Sequence, residues 1–105
     1  MIGRMWKGWA TTENAAAYKE LFRGRILPEL RDIEGFVGAY VMMRGVSEGE
    51  AEITTITLFE SVDAIRAFAG GDPSRAHVTS EARRLLSRFE NTVVHYDVVV
   101  APQIG

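Results

Sequence analysis

Apolar and polar positions alternate along IGRMWKGWA (2–10), the period of a β-strand. Strand patterns return in GFVGAYVMMRG (35–45), in the β-branched run EAEITTITLFES (50–61) and in NTVVHYDVVVA (91–101). After the first strand the period changes. Tyr18, Leu21, Phe22, Ile26 and Leu30 recur at helical spacing. Thr11 or Thr12 is placed to cap that helix. Pro28 must kink or end it, because proline lacks an N–H and crowds the carbonyl four residues back, that of Gly24. After the third strand, Ser61 caps a short helix, VDAIRAFA, which Gly70-Gly71 stops. Asp72 as cap and Pro73 in the first helical position predict a further helix. Its apolar stripe is Val78, Ala82, Leu85, Leu86 and Phe89, and His77 falls on its second turn. The Gly-, Ser- and Glu-rich stretch 44–50 predicts a hairpin between strands two and three.

The order is β-α-β-β-α-β, with the second helical region broken in two. It predicts a single α+β domain over 1–105: a ferredoxin-like, four-stranded antiparallel sheet with helices on one face. Alternation divides each strand between that face and the open one. Val37, Ala39, Val41 and Met43 are expected to face the helices, with Ile56, Leu58, Val94, Tyr96, Val98 and Val100. The open face is then Tyr40, Met42 and Arg44, with Ile53, Thr55, Thr57 and Phe59, and with Val93, His95, Asp97 and Val99. Both sets of strand one are apolar, and elimination places Arg4, Trp6 and Gly8 on the open face. A face that mixes large aromatics with Arg, Thr, His and Asp is neither plain core nor plain solvent surface. A second subunit covers it, or it lines a pocket for an aromatic ligand, or two sheets meet around a cavity and do both.

Composition narrows the function classes. The 105 residues suit one core, and 47 % hydrophobic with 25 % charged residues is an ordinary globular balance. A net charge of −2, with arginines spread along the chain, leaves no basic field for nucleic acid. Cysteine is absent, which removes disulfides, thiolate metal sites and cysteine nucleophiles. No secretory pattern and no apolar run of membrane-spanning length is seen, so no membrane partner and a cytoplasmic location are expected.

The chain has two histidines. His77 lies at the edge of the predicted stripe, and Glu81, four residues on, is placed to pair with it. An ordinary imidazole titrates near about 6.5, which suits a general base. His95 and Asp97 share a strand face, so Asp97 is placed to orient an imidazole or to make an interface contact. A metal site from His77, Glu81 and His95 would need three convergent ligands, and no spacing demands it. Trp6, Trp9, Tyr40 and Phe59 suit either stacking on a flat ligand or packing in a dimer core. Arg4 and Arg44 suit an anionic substrate or interface ion pairs. No nucleophile elbow or phosphate-binding loop is present.

The element order, "GF.G" opening strand two, "FESVDAIRAFAGGD" after strand three, the histidine that follows and "HYDV" in the last strand resemble the antibiotic biosynthesis monooxygenase family. The resemblance covers nearly the whole chain. It implies a dimeric α+β barrel, a homodimer paired through its sheet faces, with one pocket per subunit between sheet and helices. Some members of that family oxygenate polyketide aromatics without metal or flavin, which implies no cofactor here. Others degrade heme. His77 matches the histidine of the heme branch, Phe68 stands at its tryptophan position, and its strand-one asparagine has no counterpart in Trp6-Lys7-Gly8.

The resemblance thus implies a cofactor-free monooxygenase of a small electron-rich aromatic. His77 or His95 would take a phenolic proton. Trp6, Tyr40, Phe59 and Phe68 would hold the ring, and Arg44 the oxyanion. The alternative is a non-catalytic dimeric small-molecule-binding or stress-response protein of the same fold, with heme degradation as a third reading.

Overall fold

Strand β1 (Ile2–Thr11) runs through the middle of the sheet, and α1 (Thr12–Leu21) follows it without a loop. The computed structural model describes residues 1–102. Thr11 is the cap, its hydroxyl accepting from the Asn14 N–H at 3.1 Å. The helix then widens into a π-helical turn, Phe22–Ile26, before a last α-helical stretch, α2 (Leu27–Arg31). The Leu27 N–H reaches the Phe22 carbonyl, five residues back. Pro28 withholds the donor the Gly24 carbonyl would otherwise receive, so the irregularity arises where the proline demanded one.

Strands β2 (Phe36–Ser47) and β3 (Glu50–Phe59) form the predicted hairpin. It is longer than expected, and Gly49, at φ +79°, makes the tight turn. Helix α3 (Val62–Ala69) is capped by Ser61, whose hydroxyl accepts from the Ala64 N–H at 3.2 Å. Helix α4 (Ser80–Leu85), β4 (Arg88–Phe89) and β5 (Val94–Asp97) complete the chain. The sheet order is β2-β3-β1, with β4 and β5 both antiparallel to β1. This is the ferredoxin-like α+β arrangement, and within one chain the sheet is open, not a closed barrel.

The last strand is two strands, not one. Gly8 pairs with Phe89 and Met5 with Val94, so five steps of the last segment (89 to 94) match three of β1 (8 to 5). The excess loops out, and its backbone bonds elsewhere: Ala76 N–H to the Asn91 carbonyl (2.8 Å) and Val93 N–H to the Ser74 carbonyl (2.9 Å). Those same bonds overturn the helix expected from Asp72. Asp72 caps a local turn instead, accepting from the Ser74 N–H at 3.0 Å and from its hydroxyl at 2.6 Å. Arg75 bridges Thr92, residues 76–79 form no helix, and a helix starts only at Ser80, capped by Thr79. A cap and a proline are local signals, and here pairing with residues 91–93 satisfies the backbone better than a helical turn would.

Register corrects the assignment of faces. Residues directly opposed across antiparallel strands share a face, and Arg4 opposes Thr57, Trp6 opposes Thr55 and Gly8 opposes Ile53. Trp6, Ala10, Ile53 and Phe59 are buried in one core with Tyr18, Phe22, Leu30 and Ile65 of the helices. Arg4, Trp6, Gly8, Ile53, Thr55, Thr57 and Phe59 therefore face the helices, opposite to expectation. His95 and Asp97, opposed to Arg4 and Ile2, are on that side too. Ile56, Leu58, Val94 and Tyr96 move to the open face. Strand two stands as read from Ala39 on, with Ala39, Val41 and Met43 inward and Tyr40, Met42 and Arg44 outward, but a bulge between Phe36 and Gly38 turns Phe36 inward and leaves Val37 exposed.

The physical reason lies in Trp6 and in the polar residues of the other set. The Trp6 ring lies over Gly8, where a Cβ would come within 2.7 Å of Trp6 Cη2. It stacks on Tyr18 with centroids 6.3 Å apart, and its N–H donates to the Glu90 carbonyl at 2.8 Å. Lys7, Thr54 and Glu52 take the opposite phase, where Glu52 meets Lys7 (3.7 Å) and Arg44 (3.3 Å). The Arg44 guanidinium, bonded to the Glu52 carboxylate, holds its pKa below the usual carboxylate range, with Lys7 adding to the effect.

Candidate active site

A cleft opens between the sheet and the helices. The sheet supplies Arg4, Trp6, Thr55 and Thr57, and the helical layer supplies Tyr18, Phe22, Ile26, Leu30 and Phe68. The segment before α4 closes one side with His77, Val78 and Thr79. The cleft opens to solvent on one side, and its cavity volume is about 40 Å³, so an aromatic guest has to widen it. It is a narrow slot lined on several sides by aromatic rings. The π-helical turn matters here, because it spans Phe22 and Ile26, both of which line the slot.

His77 stands exposed at the rim, its ring edge-on to Phe68 with centroids 4.8 Å apart. Glu81, expected to pair with it, pairs instead with Arg25 at 3.2 Å. The helix that would have set the two four residues apart on one face does not include His77. Phe68 in turn packs on Phe59 (6.3 Å), and Phe59 meets Phe36 edge to face at 5.6 Å. Phe59 is thus the buried support of the slot wall and not part of its lining.

The polar interior of the slot is small and specific. Arg4 reaches under Phe68, its guanidinium carbon 5.5 Å from the ring centroid. Its Nη2 donates to the Arg75 carbonyl at 2.7 Å. Burial pulls its pKa down to about 10, which leaves it cationic at neutral pH. Tyr18 is buried, and desolvation pushes its phenol above the ordinary range, so it stays a neutral hydroxyl. Its hydroxyl has no hydrogen-bond partner among the described residues. Sequence reading singled out neither Tyr18 nor the Thr55 and Thr57 hydroxyls as site residues. The signal was the polar phase marked by Lys7, Thr54 and Glu52, which turns Arg4, Thr55 and Thr57 inward.

The remaining candidates lie elsewhere. Tyr40 and Arg44 are on the open face, so Arg44 does not reach the slot and Trp6 and Tyr40 do not share a surface. Trp9 is on that face too, with the Arg88 guanidinium 4.1 Å from its ring centroid. His95 lines a separate depression with Ile2, Val62, Ile65, Pro73, Tyr96 and Asp97. Among the described residues no three His, Asp or Glu side chains come together as metal ligands, and no helix is long and apolar enough to cross a membrane.

Partial burial holds His95 below the ordinary imidazole range, and the charge of Arg4, its cross-strand neighbour, adds to this. An imidazole with a lowered folded-state pKa disfavours the fold as pH falls through its unfolded value. NMR titration of the imidazole protons is expected to show His95 titrating below a free histidine. Arg4→Gln should move that midpoint upward. A midpoint unmoved by Arg4→Gln would contradict the coupling.

No protein-family model matches the chain, and no curated protein sequence matches it. Solved structures do resemble it. A protein of unknown function from Nitrosomonas europaea superposes with a TM-score of 0.69 at 17 % identity, over 99 % of this chain and 94 % of that one. A provisionally named antibiotic biosynthesis monooxygenase from Bacillus cereus gives 0.64 at 16 % identity, over 96 % and 97 %. A Streptomyces coelicolor monooxygenase, the ActVA-Orf6 product bound to nanaomycin D, gives 0.60 at 17 % identity, over 97 % and 92 %. The chain shares the fold of these proteins over at least 96 % of its length.

Proposed function

We propose that the protein is a small monooxygenase of the antibiotic biosynthesis type, acting on an electron-rich aromatic held in the slot between sheet and helices. The observation that carries this reading is the slot itself. It is walled by Trp6, Tyr18, Phe22 and Phe68, and has a histidine at its rim. A structural relative at 17 % identity binds nanaomycin D, a precedent for the fold. In this scheme His77 takes the proton of a phenol or anthrone at the open end. The electron-rich carbanion then passes an electron to dioxygen and combines with the reduced oxygen. For an anthrone the sum is balanced by one ring CH2 and O2 giving one C=O and water, with no further reductant. The aromatic walls cover the ring of the intermediate, while its open end stays in contact with solvent at His77.

Oxygen uptake with a panel of hydroquinones and anthrones tests this. His77→Ala is expected to lower the rate by about 100-fold or more, the usual contribution of a general base. No uptake by the wild type with any of the panel would sink the oxygenase reading. A second reading, a non-catalytic binder using the same slot, is favoured by one feature: no carboxylate orients His77, since Glu81 is engaged by Arg25.

The open face supports a homodimer. Tyr40, Met42, Val94 and Tyr96 are 46, 45, 50 and 54 % exposed, and Met5, Ile56 and Leu58 lie on the same face. An apolar patch of this kind calls for a cover. A second copy facing it through the sheets would supply one and would leave both slots open on the outside.

A further inference from the structure

Arg4 is 5 % exposed, between the sheet and the helices, and no carboxylate lies within ion-pair distance of it among the described residues. Among the described residues only Nη2 of its guanidinium nitrogens finds a partner, the Arg75 carbonyl, and Nε is buried without one. Native interiors seldom leave such a group unpaired, because both the charge and the donor have been taken out of water. The surroundings say what would pair with it. Trp6, Tyr18, Phe22 and Phe68 present ring surfaces, and Tyr18 adds an unengaged neutral hydroxyl. The carboxylate nearest in kind, Glu29, belongs to an exposed position of α2 at the rim.

We infer that the slot takes an aromatic anion, a flat ring bearing a carboxylate or phenolate oxygen, and that Arg4 holds that oxygen. This rests on the slot being the ligand site proposed above, and not on oxygen chemistry. Arg4 then sets which ligands enter. A neutral ring gains only the stacking surfaces, whereas an anion also satisfies the buried guanidinium. The competing role for Arg4 is a structural latch, tying residue 75 to the sheet.

The test is equilibrium binding to the full chain, without turnover, of 2-naphthoate, 4-nitrophenol and the neutral 2-naphthamide. Quenching of Trp6 in the slot and the absorbance of the nitrophenolate report binding. For the wild type, at least one anion is expected to bind better than the amide, and bound nitrophenol to shift toward its phenolate form. Arg4→Gln should weaken the anions about tenfold or more while leaving the amide within about twofold. Arg4→Lys, which keeps the charge but not the planar fork, should weaken naphthoate about threefold, and it serves if the glutamine variant does not fold.

Preference for naphthoate or for nitrophenol tells a carboxylate ligand from a phenolate one. Unchanged anion affinity in Arg4→Gln, a parallel loss of the amide, or no anion binding by the wild type would overturn the inference. Anion binding through Arg4 in a protein that consumes no oxygen would uphold this inference and sink only the oxygenase reading.

Discussion

The proposed dimer is expected to dissociate when Tyr40 is replaced by glutamate. Tyr40, midway along the edge strand β2, stands opposite Ile56 on the open face and is half exposed in the single chain. Folding of one chain therefore tolerates the change. A two-fold interface does not, because each substitution enters it twice. Burying an unpaired carboxylate in such an interface costs about 2–5 kcal/mol per site, so the dissociation constant should rise at least about 100-fold. Light scattering at micromolar concentration reads the outcome. The wild type should have the mass of two chains and Tyr40→Glu that of one, with far-UV circular dichroism unchanged. A wild-type monomer at that concentration would refute the interface and leave its apolar face without a cover.

The second large effect is on stability. Phe59→Ala is expected to destabilise the fold by about 3–5 kcal/mol, the range for removing a large aromatic side chain from a packed core. Phe59 is fully buried, and it joins Phe36 of β2 to Phe68 of α3. Domains of this size are stable by about 5–15 kcal/mol in all, so the variant should remain folded but near its limit. Urea denaturation measures the difference through the midpoint at an unchanged slope. Because Phe68 rests on Phe59 and His77 rests on Phe68, any binding in the slot should weaken in the same variant. A loss below about 1 kcal/mol would mean that Phe59 is not the support assigned to it.

These two residues mark where local pattern stops deciding structure. Alternation alone puts Phe59 and Tyr40 together on the open face, as one aromatic surface. The structure puts them on opposite sides of the sheet. The strands themselves were legible, since alternation and β-branched composition are local properties. Which half of the alternation faces the helices is a single binary choice per strand. In β1 both halves contain a tryptophan, so local composition does not decide it. Trp6 decides it, by stacking on Tyr18 and donating to the Glu90 carbonyl, 84 residues on. Once β1 is placed, register carries the choice to β3 and β5.

The segment Asp72–His77 gives the same lesson from the other direction. Asp72 and Pro73 are local helix-start signals, and Asp72 does act as a cap, but of a turn closed by Ser74. Bonds from Ala76 to Asn91 and from Val93 to Ser74 link the segment to the far end of the chain. They keep it out of a helix and bring His77 against Phe68 instead of beside Glu81.

By itself, then, the sequence determined the ferredoxin-like α+β order, a threonine cap at 11 or 12, the Ser61 cap and the disturbance at Pro28. Each follows from propensities and periods within a few residues. Tertiary structure alone decided which strand faces are covered, that the last strand is two, and that Arg4 lies under Phe68 in a slot with His77 at its rim. Those depend on side chains about 70 residues apart meeting in three dimensions, such as Arg4 with the Arg75 carbonyl. No local pattern encodes such a meeting, because its free energy comes from burial and pairing that exist only once the layers have packed.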